Sequence, residues 1–405
     1  MPETPLRWPP LVMDFTAAWA GPLCGAVLAD LGWNVVKVES ATRPDITRRL
    51  GPWADGEPGL ERSGYFDTLN RGKRSIAIDL RTDGGKDLAR ALCLAADVVV
   101  ENFAPGVMDR LGLGYETLSR GNPALVMGSV SGYGATGPER DYVAYGQTIE
   151  AVAGLDIATG YEGAGPMACG APLPDHVAGM TGAFAVLQAV ETRRRTGTGS
   201  HVDVSMVEAL VAMMPSHLFE YQVSGRLPEA KGNRDDSLAP HGCYPIAGDD
   251  RWVAITVADG QQWAALCDVI QLADLRSDEA LSDPAVRRAR ASSLDELVAI
   301  ATASRDGDEL VAELRSAGVP ATLVARSEDL AADETLEKRG FKMTVQTTMA
   351  GERVIAGRPA VYSFLTAPIT HGGPAIGEHT DAVLQEVLGM DVAEIQRLRD
   401  TLVLN

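Results

Sequence analysis

LVMDFTAAWAGPLCGAVLADLGWNVVKVE, residues 11–39, decides how the rest of this 405-residue chain is read. LVMDF (11–15) is a short apolar run, LCGAVLADLG (23–32) has helical character and ends on Gly32, and VVKVE (35–39) follows at once. The order is strand, helix, strand, with Gly32 as the helix stop. The pattern continues with SIAIDL (75–80), a helical KDLARALCLAA (86–96) and ADVVVENF (96–103). Strands alternating with helices at this spacing predict an α/β fold with a largely parallel sheet. ALVMGSVSGYG (124–134) and HVDVSM (201–206) add strands. Between them VAGMTGAFAVLQAVETRRR (177–195) is a helix with basic residues in its last turn and a Gly-rich stop. MVEALVAMMPSHLFEYQ (206–222) reads as one helix kinked at Pro215.

The character changes over SGRLPEAKGNRDDSLAP (224–240), which is polar and rich in Gly and Pro. Residues 1–225 are expected to form a large Rossmann-like domain completed by 340–405. Residues 226–339 are expected to form a small α/β domain with its linkers, built on RWVAITV (251–257), QQWAALCDVI (261–270) and VPATLV (319–324). Beyond 340, MTVQT and VIAGRPAVYSF alternate like strands, and HTDAVLQEVLGM (379–390) closes as a helix.

The bulk composition narrows the function. The hydrophobic fraction is 45% and the net charge is −19, so no overall basic field attracts nucleic acid or an anionic membrane. Five scattered cysteines without C-x-x-C spacing fit reduced thiols, with neither a zinc site nor a disulfide framework. MPETPLRWPPLVMDF lacks the charged and apolar regions of a signal peptide, and the apolar runs are too short to span a bilayer. The expectation is a cytoplasmic protein.

Several familiar chemistries lack their motifs. The turn after LVMDF is TAAWAGP, not G-x-G-x-x-G, so a nicotinamide or flavin site is not expected despite Glu39 at the end of the second strand. There is no H-E-x-x-H, no His/Cys cluster, no P-loop and no G-x-S-x-G elbow. No metal is expected.

Two stretches remain open on physical grounds. LNRGKRSIAIDLR (69–81) gathers Arg71, Lys73, Arg74 and Arg81, which reads either as a solvated turn before a strand or as a cradle for phosphate. GAPLPDHVAGM (170–180) places Asp175 at a helix start, where it is either a cap or an ionised nucleophile able to attack an activated acyl group. Asn102 and Phe103 follow the strand VVV at its carboxyl end, where open α/β sheets bind ligands.

DFTAAWAGP (14–22), LADLGWNVVKVE (28–39), LNRGKRSIAIDL (69–80), DVVVENFAPGVMDRLGLGYE (97–116), SVSGYGATGP (129–138), TRRRTGTGSHVDVSM (192–206) and IGEHTDAVLQEVLGM (376–390) together resemble the class III CoA-transferases. This is the CaiB/BaiF family, and the likeness is formyl-CoA transferase-like. The resemblance implies a Rossmann-like large domain, a small domain and two subunits interlinked as a homodimer. It implies that Asp175 is the nucleophile, serving also as a cap, and that Ala18, Ile78, Arg81, Asn102, Phe103, Arg110 and Tyr145 contact CoA. CoA's phosphates are expected among the basic residues of 71–81 and Arg110, with its ring near Phe103. Acyl-CoA enters as substrate, a carboxylic acid as acceptor, and no tightly bound cofactor is implied.

Against the formyl-CoA transferases, the basic residue after VVKVE is replaced by Ser40, with Arg43 nearby. Trp19 stands for a Gln, Gly146 for an acidic residue, and APHGCYPIAGDDRW (239–252) lacks the Gly-rich loop that closes over oxalate. The alternative within the family is an α-methylacyl-CoA racemase, whose base histidine corresponds to Tyr145 here; a neutral tyrosine is a poor base. His176 adjoins Asp175 but is turned about 100° along the helix. A non-catalytic CoA-binding protein is the third reading.

Overall fold

The computed structural model describes residues 8–363 and 369–404. The chain forms two compact units: residues 1–155, 168–226 and 335–405 in one, and 156–167 with 227–334 in the other.

The first unit is built on six parallel strands: β1 (Leu11–Asp14), β2 (Asn34–Glu39), β3 (Arg74–Ala77), β4 (Val98–Glu101), β5 (Val126–Ser131) and β6 (His201–Ser205). Their order is β3-β2-β1-β4-β5-β6, with Leu11 opposite Asn34 and Val12 opposite Val98. The order reverses between β1 and β4, the position where open α/β sheets leave a crevice for ligand. The helices of this unit are α1 (Ala20–Asp30), α2 (Gly64–Leu69), α3 (Asp83–Ala95), α4 (Val107–Arg110), α5 (Tyr115–Gly121) and α6 (Gly146–Ala153); the chain passes to the second unit within α7 (Leu155–Ala158) and returns for α8 (Leu173–Thr196) and, after β6, α9 (Met206–Val211).

Strand parity assigns each core. Leu11, Met13 and Phe15 point to one face with Ile76, Ile78, Leu88, Leu92 and Val99. Val12 points to the other, with Leu28, Val35, Val98, Val126 and Val186 under α1 and α8. Both faces are covered, which explains the near-continuous apolar strands. Gly32 adopts φ 83 and stops α1. Gly179 lets α8 approach α1 closely: a Cβ there would lie 2.6 Å from the carbonyl oxygen of Ala20.

The C-terminal segment completes the first core. Val383, Leu384, Ile395 and Val403 are buried in it, and Asp79 N–H donates to the Val403 carbonyl at 2.9 Å. β10 (Lys342–Thr347) and β11 (Gly351–Ala356) form an antiparallel hairpin. The expected strand VIAGRPAVYSF stops at Ala356; its last residue, 364, lies outside the described residues. The single kinked helix expected over 206–222 is instead two: α9, then Pro215–Ser224 with Pro215 in its first turn, where the missing N–H has no helical partner to lose.

The second unit has a three-stranded antiparallel sheet in the order β7 (His241–Pro245), β8 (Trp252–Thr256), β9 (Ala321–Leu323). Its core joins Val253, Ile255, Trp263, Leu266, Leu294, Val298, Leu310 and Leu314. Among the described residues no helix is long and apolar enough to cross a membrane.

Candidate active site

The turn from β1 into α1 is held at every peptide. Asp14 Oδ1 accepts the Thr16 N–H at 2.9 Å, and Lys37 Nζ donates to the Thr16 carbonyl at 2.7 Å. Asn102 pairs with Ala17 in both directions, Oδ1 accepting its N–H and Nδ2 donating to its carbonyl, each at 2.8 Å. Asp45 Oδ1 accepts the Ala18 N–H at 3.1 Å. Ala18 sits at φ 67, a left-handed conformation that costs a non-glycine residue about 1 kcal/mol and persists when its surroundings enforce it.

Beneath the turn lies a buried charge cluster. Lys37 Nζ pairs with Asp45 at 2.9 Å, and Lys73 Nζ pairs with Asp14 at 2.7 Å, all four side chains within 1% of full burial. Burial is the largest influence on Lys37, yet the surrounding Asp45, Glu39 and Asp14 lift it above the ordinary lysine value. The signal was present in the sequence: a lysine inside VVKVE, a strand buried on both faces, requires a buried anion as partner.

Asp175 is reached from the end of this turn. The N-cap of α8 is Pro172, and Asp175 is the third helical residue, so it is not the cap that its sequence position suggests. The Ala20 N–H, the first of α1, and the N–H of Asp175 itself lie near its carboxylate and favour its charged form. It also abuts Gly146, the first residue of α6; a Cβ at Gly146 would lie 2.4 Å from Asp175 Oδ2. Three helix N-termini therefore converge on one carboxylate, and their aligned peptide dipoles favour negative charge there. Burial outweighs them, pushing the carboxyl above its ordinary value; the Ala20 N–H and His176 pull it down, and Glu150 adds to the rise. Glu150 is buried and accepts from the Cys169 N–H and thiol, each at 3.2 Å.

The glycine at 146 makes room for the carboxylate. Gly146→Ala is expected to swing Asp175 Oδ2 out of line and lower kcat on the order of 100-fold, since about 1 Å of misplacement at a reacting atom costs that much. Steady-state kinetics beside an unchanged denaturation midpoint checks it.

The cleft beside this turn has a volume of about 310 Å³ and opens at the carboxyl ends of β1 to β4. Ile78, Arg81 and Phe103 line it, with Ala17 and Arg43. Arg81 is 60% exposed and pairs with Asp79 at 2.6 Å. Asn102 does not line the cleft; its amide is spent on Ala17. Arg110 is exposed on α4, near Gly106, and Tyr145 is exposed at the N-cap of α6, next to Gly146.

The basic stretch 71–81 divides, and neither sequence reading of it holds throughout. Arg71 is buried against Asp30, Lys73 against Asp14, and Arg74 pairs with Glu386 at 2.6 Å. Only Arg81 of the four faces the cleft. Glu39, at the end of β2, is bound bidentately by the buried Arg48, at 2.9 and 2.7 Å.

Trp19 packs its ring edge on Tyr65 at 4.8 Å and tilts on His176 at 5.7 Å. Its indole N–H is buried without a partner among the described residues. His176 is exposed, with Nδ1 2.9 Å from the Pro172 carbonyl.

A doubly wound sheet, a carboxylate at converging helix starts and a cleft at the switch point make up the candidate site. Residues 11–380 match CoA-transferase family III, and the chain belongs to that family. It is 32% identical over 391 residues to the succinyl-CoA–D-citramalate CoA-transferase of Chloroflexus aurantiacus, covering 96% of each chain. It is 31% identical to the succinate–glutarate CoA-transferase of Agrobacterium fabrum, covering 96% of this chain and 98% of that one. Among solved structures it resembles a CaiB/BaiF family protein from Brucella suis, with a TM-score of 0.86 and 32% identity over 95% of this chain and 100% of that one. The protein is a class III acyl-CoA:carboxylate CoA-transferase. These matches show membership of the family, and they do not show a specific likeness to its formyl-CoA transferases.

Proposed function

We propose that Asp175 carries CoA between two carboxylic acids through covalent aspartyl intermediates. The Asp175 carboxylate attacks the thioester carbonyl of the donor, forming a mixed anhydride and releasing CoA thiolate. The thiolate attacks the aspartyl carbonyl, giving an aspartyl-CoA thioester and freeing the donor acid as carboxylate. The acceptor carboxylate then attacks that thioester, and the expelled thiolate takes the acceptor acyl group, regenerating Asp175. Over the whole cycle one thioester is broken and one is formed, so no external energy source is needed. The supporting observation is the Asp175 carboxylate at the starts of α1, α6 and α8, with the cleft on the far side of the same turn.

In this reading CoA occupies the cleft with its phosphates toward Arg81 and Arg43, Phe103 offering a flat face and Ile78 an apolar wall. Ala18, Asn102, Arg110 and Tyr145 frame the approach. CoA is a substrate, and no resident cofactor takes part. Succinyl-CoA is the proposed donor, supported by the names of the relatives. Brief exposure to succinyl-CoA followed by intact-mass measurement and peptide mapping is expected to find succinyl or CoA mass on the peptide carrying Asp175. Turnover with no adduct there would overturn the covalent route.

The proposed assembly is an intertwined homodimer in the cytoplasm. Supporting it, α8 exposes Met180 and Phe184, and the helix Pro215–Ser224 exposes Leu218, Phe219 and Val223, large apolar side chains that a partner chain would cover. Light scattering is expected to give twice the 42.9 kDa chain mass; a monomer at micromolar concentration would refute the dimer.

A further inference from the structure

Next to the coenzyme cleft lies a second, smaller cavity of about 190 Å³, at the ends of β4 and β5 and the start of β6. Phe103 lines both, so it stands in the wall between them. The second cavity contains a hydrogen-bonded chain that the transfer reaction leaves unused. His201 Nε2 lies 2.9 Å from Ser129 Oγ, and Ser129 sits opposite Glu101 in the β4–β5 register, its hydroxyl favouring the charged form of that carboxylate. Glu101 Oε2 accepts the backbone N–H of Phe103 at 2.8 Å. The Tyr115 ring stacks on His201 at 5.5 Å with an interplanar angle of 17°, fixing the imidazole.

We propose that Glu101, Ser129 and His201 are positioning residues, a hydrogen-bonded relay that sets the backbone of Phe103 and through it the wall against which CoA binds. The proposal rests on the reading of the cleft as the coenzyme site. The groups adjoin one another in turn: His201 Nε2 beside Ser129 Oγ, Ser129 opposite Glu101 across β4 and β5, and Glu101 accepting the Phe103 N–H. Glu101 is 8% exposed, and an ionised carboxylate makes the bond to Phe103 charge-assisted, about twice as strong as a neutral one.

Burial pushes Glu101 up to about 7, the bonds from Ser129 and Phe103 restrain it, and Asp203 on β6 and Asp109 on α4 raise it further. Burial pulls His201 below its ordinary value against the same Asp203 and Asp109. Glu116 on α5 also faces the cavity. Above about pH 7 Glu101 is ionised and grips Phe103; below it the added proton loosens the grip.

The test is the KM for succinyl-CoA between pH 6 and 8.5, with kcat measured alongside. The wild-type KM is expected to rise about five-fold as pH falls, the size of one net hydrogen bond, with no matching step in kcat. Glu101→Gln, neutral at every pH, is expected to hold the raised KM throughout. Ser129→Ala removes a bond that restrains Glu101, so its KM step moves to higher pH. A wild-type KM profile in both variants would overturn the relay. Phe103→Ala separates the two levels of the argument. Raised KM there with wild-type behaviour in Glu101→Gln sinks the relay alone. Unchanged KM in Phe103→Ala removes the coenzyme cleft, and the relay with it.

Discussion

Asp175→Ala is expected to leave a folded protein whose transfer rate is lower by on the order of 10⁴-fold or more, about 5.5 kcal/mol of barrier. In the proposed route the substitution removes the atom that makes the first bond, which lies at the starts of α1, α6 and α8. Stability should move the other way. A carboxyl whose value is raised by folding binds its proton more tightly in the folded state, so at neutral pH the ionised group costs stability. Alanine removes that cost. The variant's thermal midpoint is therefore expected to exceed the wild type's at pH 7 and above, the gap closing as pH falls below the unfolded carboxyl's value. Activity has the matching sign: kcat/KM of the wild type falls as acid protonates Asp175. A variant that keeps transferring CoA, or that loses activity by unfolding, would contradict this account.

Lys73→Met is expected to be the most damaging change to stability in the basic stretch. Lys73 Nζ donates to Asp14 Oδ2 at 2.7 Å, to the Pro22 carbonyl at 2.8 Å and to Asn70 Oδ1 at 2.9 Å. Methionine fills the space but leaves Asp14, which is fully buried, without its paired cation. Removing one partner of a buried pair costs about 3–5 kcal/mol. A urea unfolding curve should show the lower midpoint. Arg81→Ala, eight residues on, is expected to leave that midpoint in place and raise the KM for acyl-CoA about three- to ten-fold, the loss of one charge-assisted contact. The opposite pairing, with Lys73→Met altering KM at unchanged stability, would restore the view of this whole segment as a phosphate cradle.

The contrast between Lys73 and Arg81 marks where reading residues one at a time runs out. Strand and helix order was legible because apolar runs bounded by Gly32 and similar stops carry their own periodicity. Which core each strand residue enters followed from parity, as for Leu11, Val12 and Met13. Burial of a cation depends on which strands become neighbours, and nothing local to RGKRS says that Lys73 ends beneath β1. The same holds for Asn102, whose type suggested ligand contact and whose amide is committed to Ala17. Asp175 was found by its place before a Gly-rich helix, but the convergence of α1 and α6 on it is purely tertiary. Two proline positions, 172 and 174, moved the helix start and took the cap away from it.

The turn through Thr16, Ala17 and Ala18 has its three amides and the first two of its carbonyls claimed by side chains from β2, from the segment after it and from the ends of β1 and β4. Such a turn has little spare valence with which to mould itself around a visitor. For a catalyst that must receive one acid, discard it and accept another, this confines adaptation to the parts that meet the changing acyl group. The nucleophile and the common carrier meet the same frame in both halves of the cycle, so forward and reverse transfer start from one geometry. Selectivity for particular acids can then drift through residues such as Trp19 and Tyr65 without disturbing the step that all of them share.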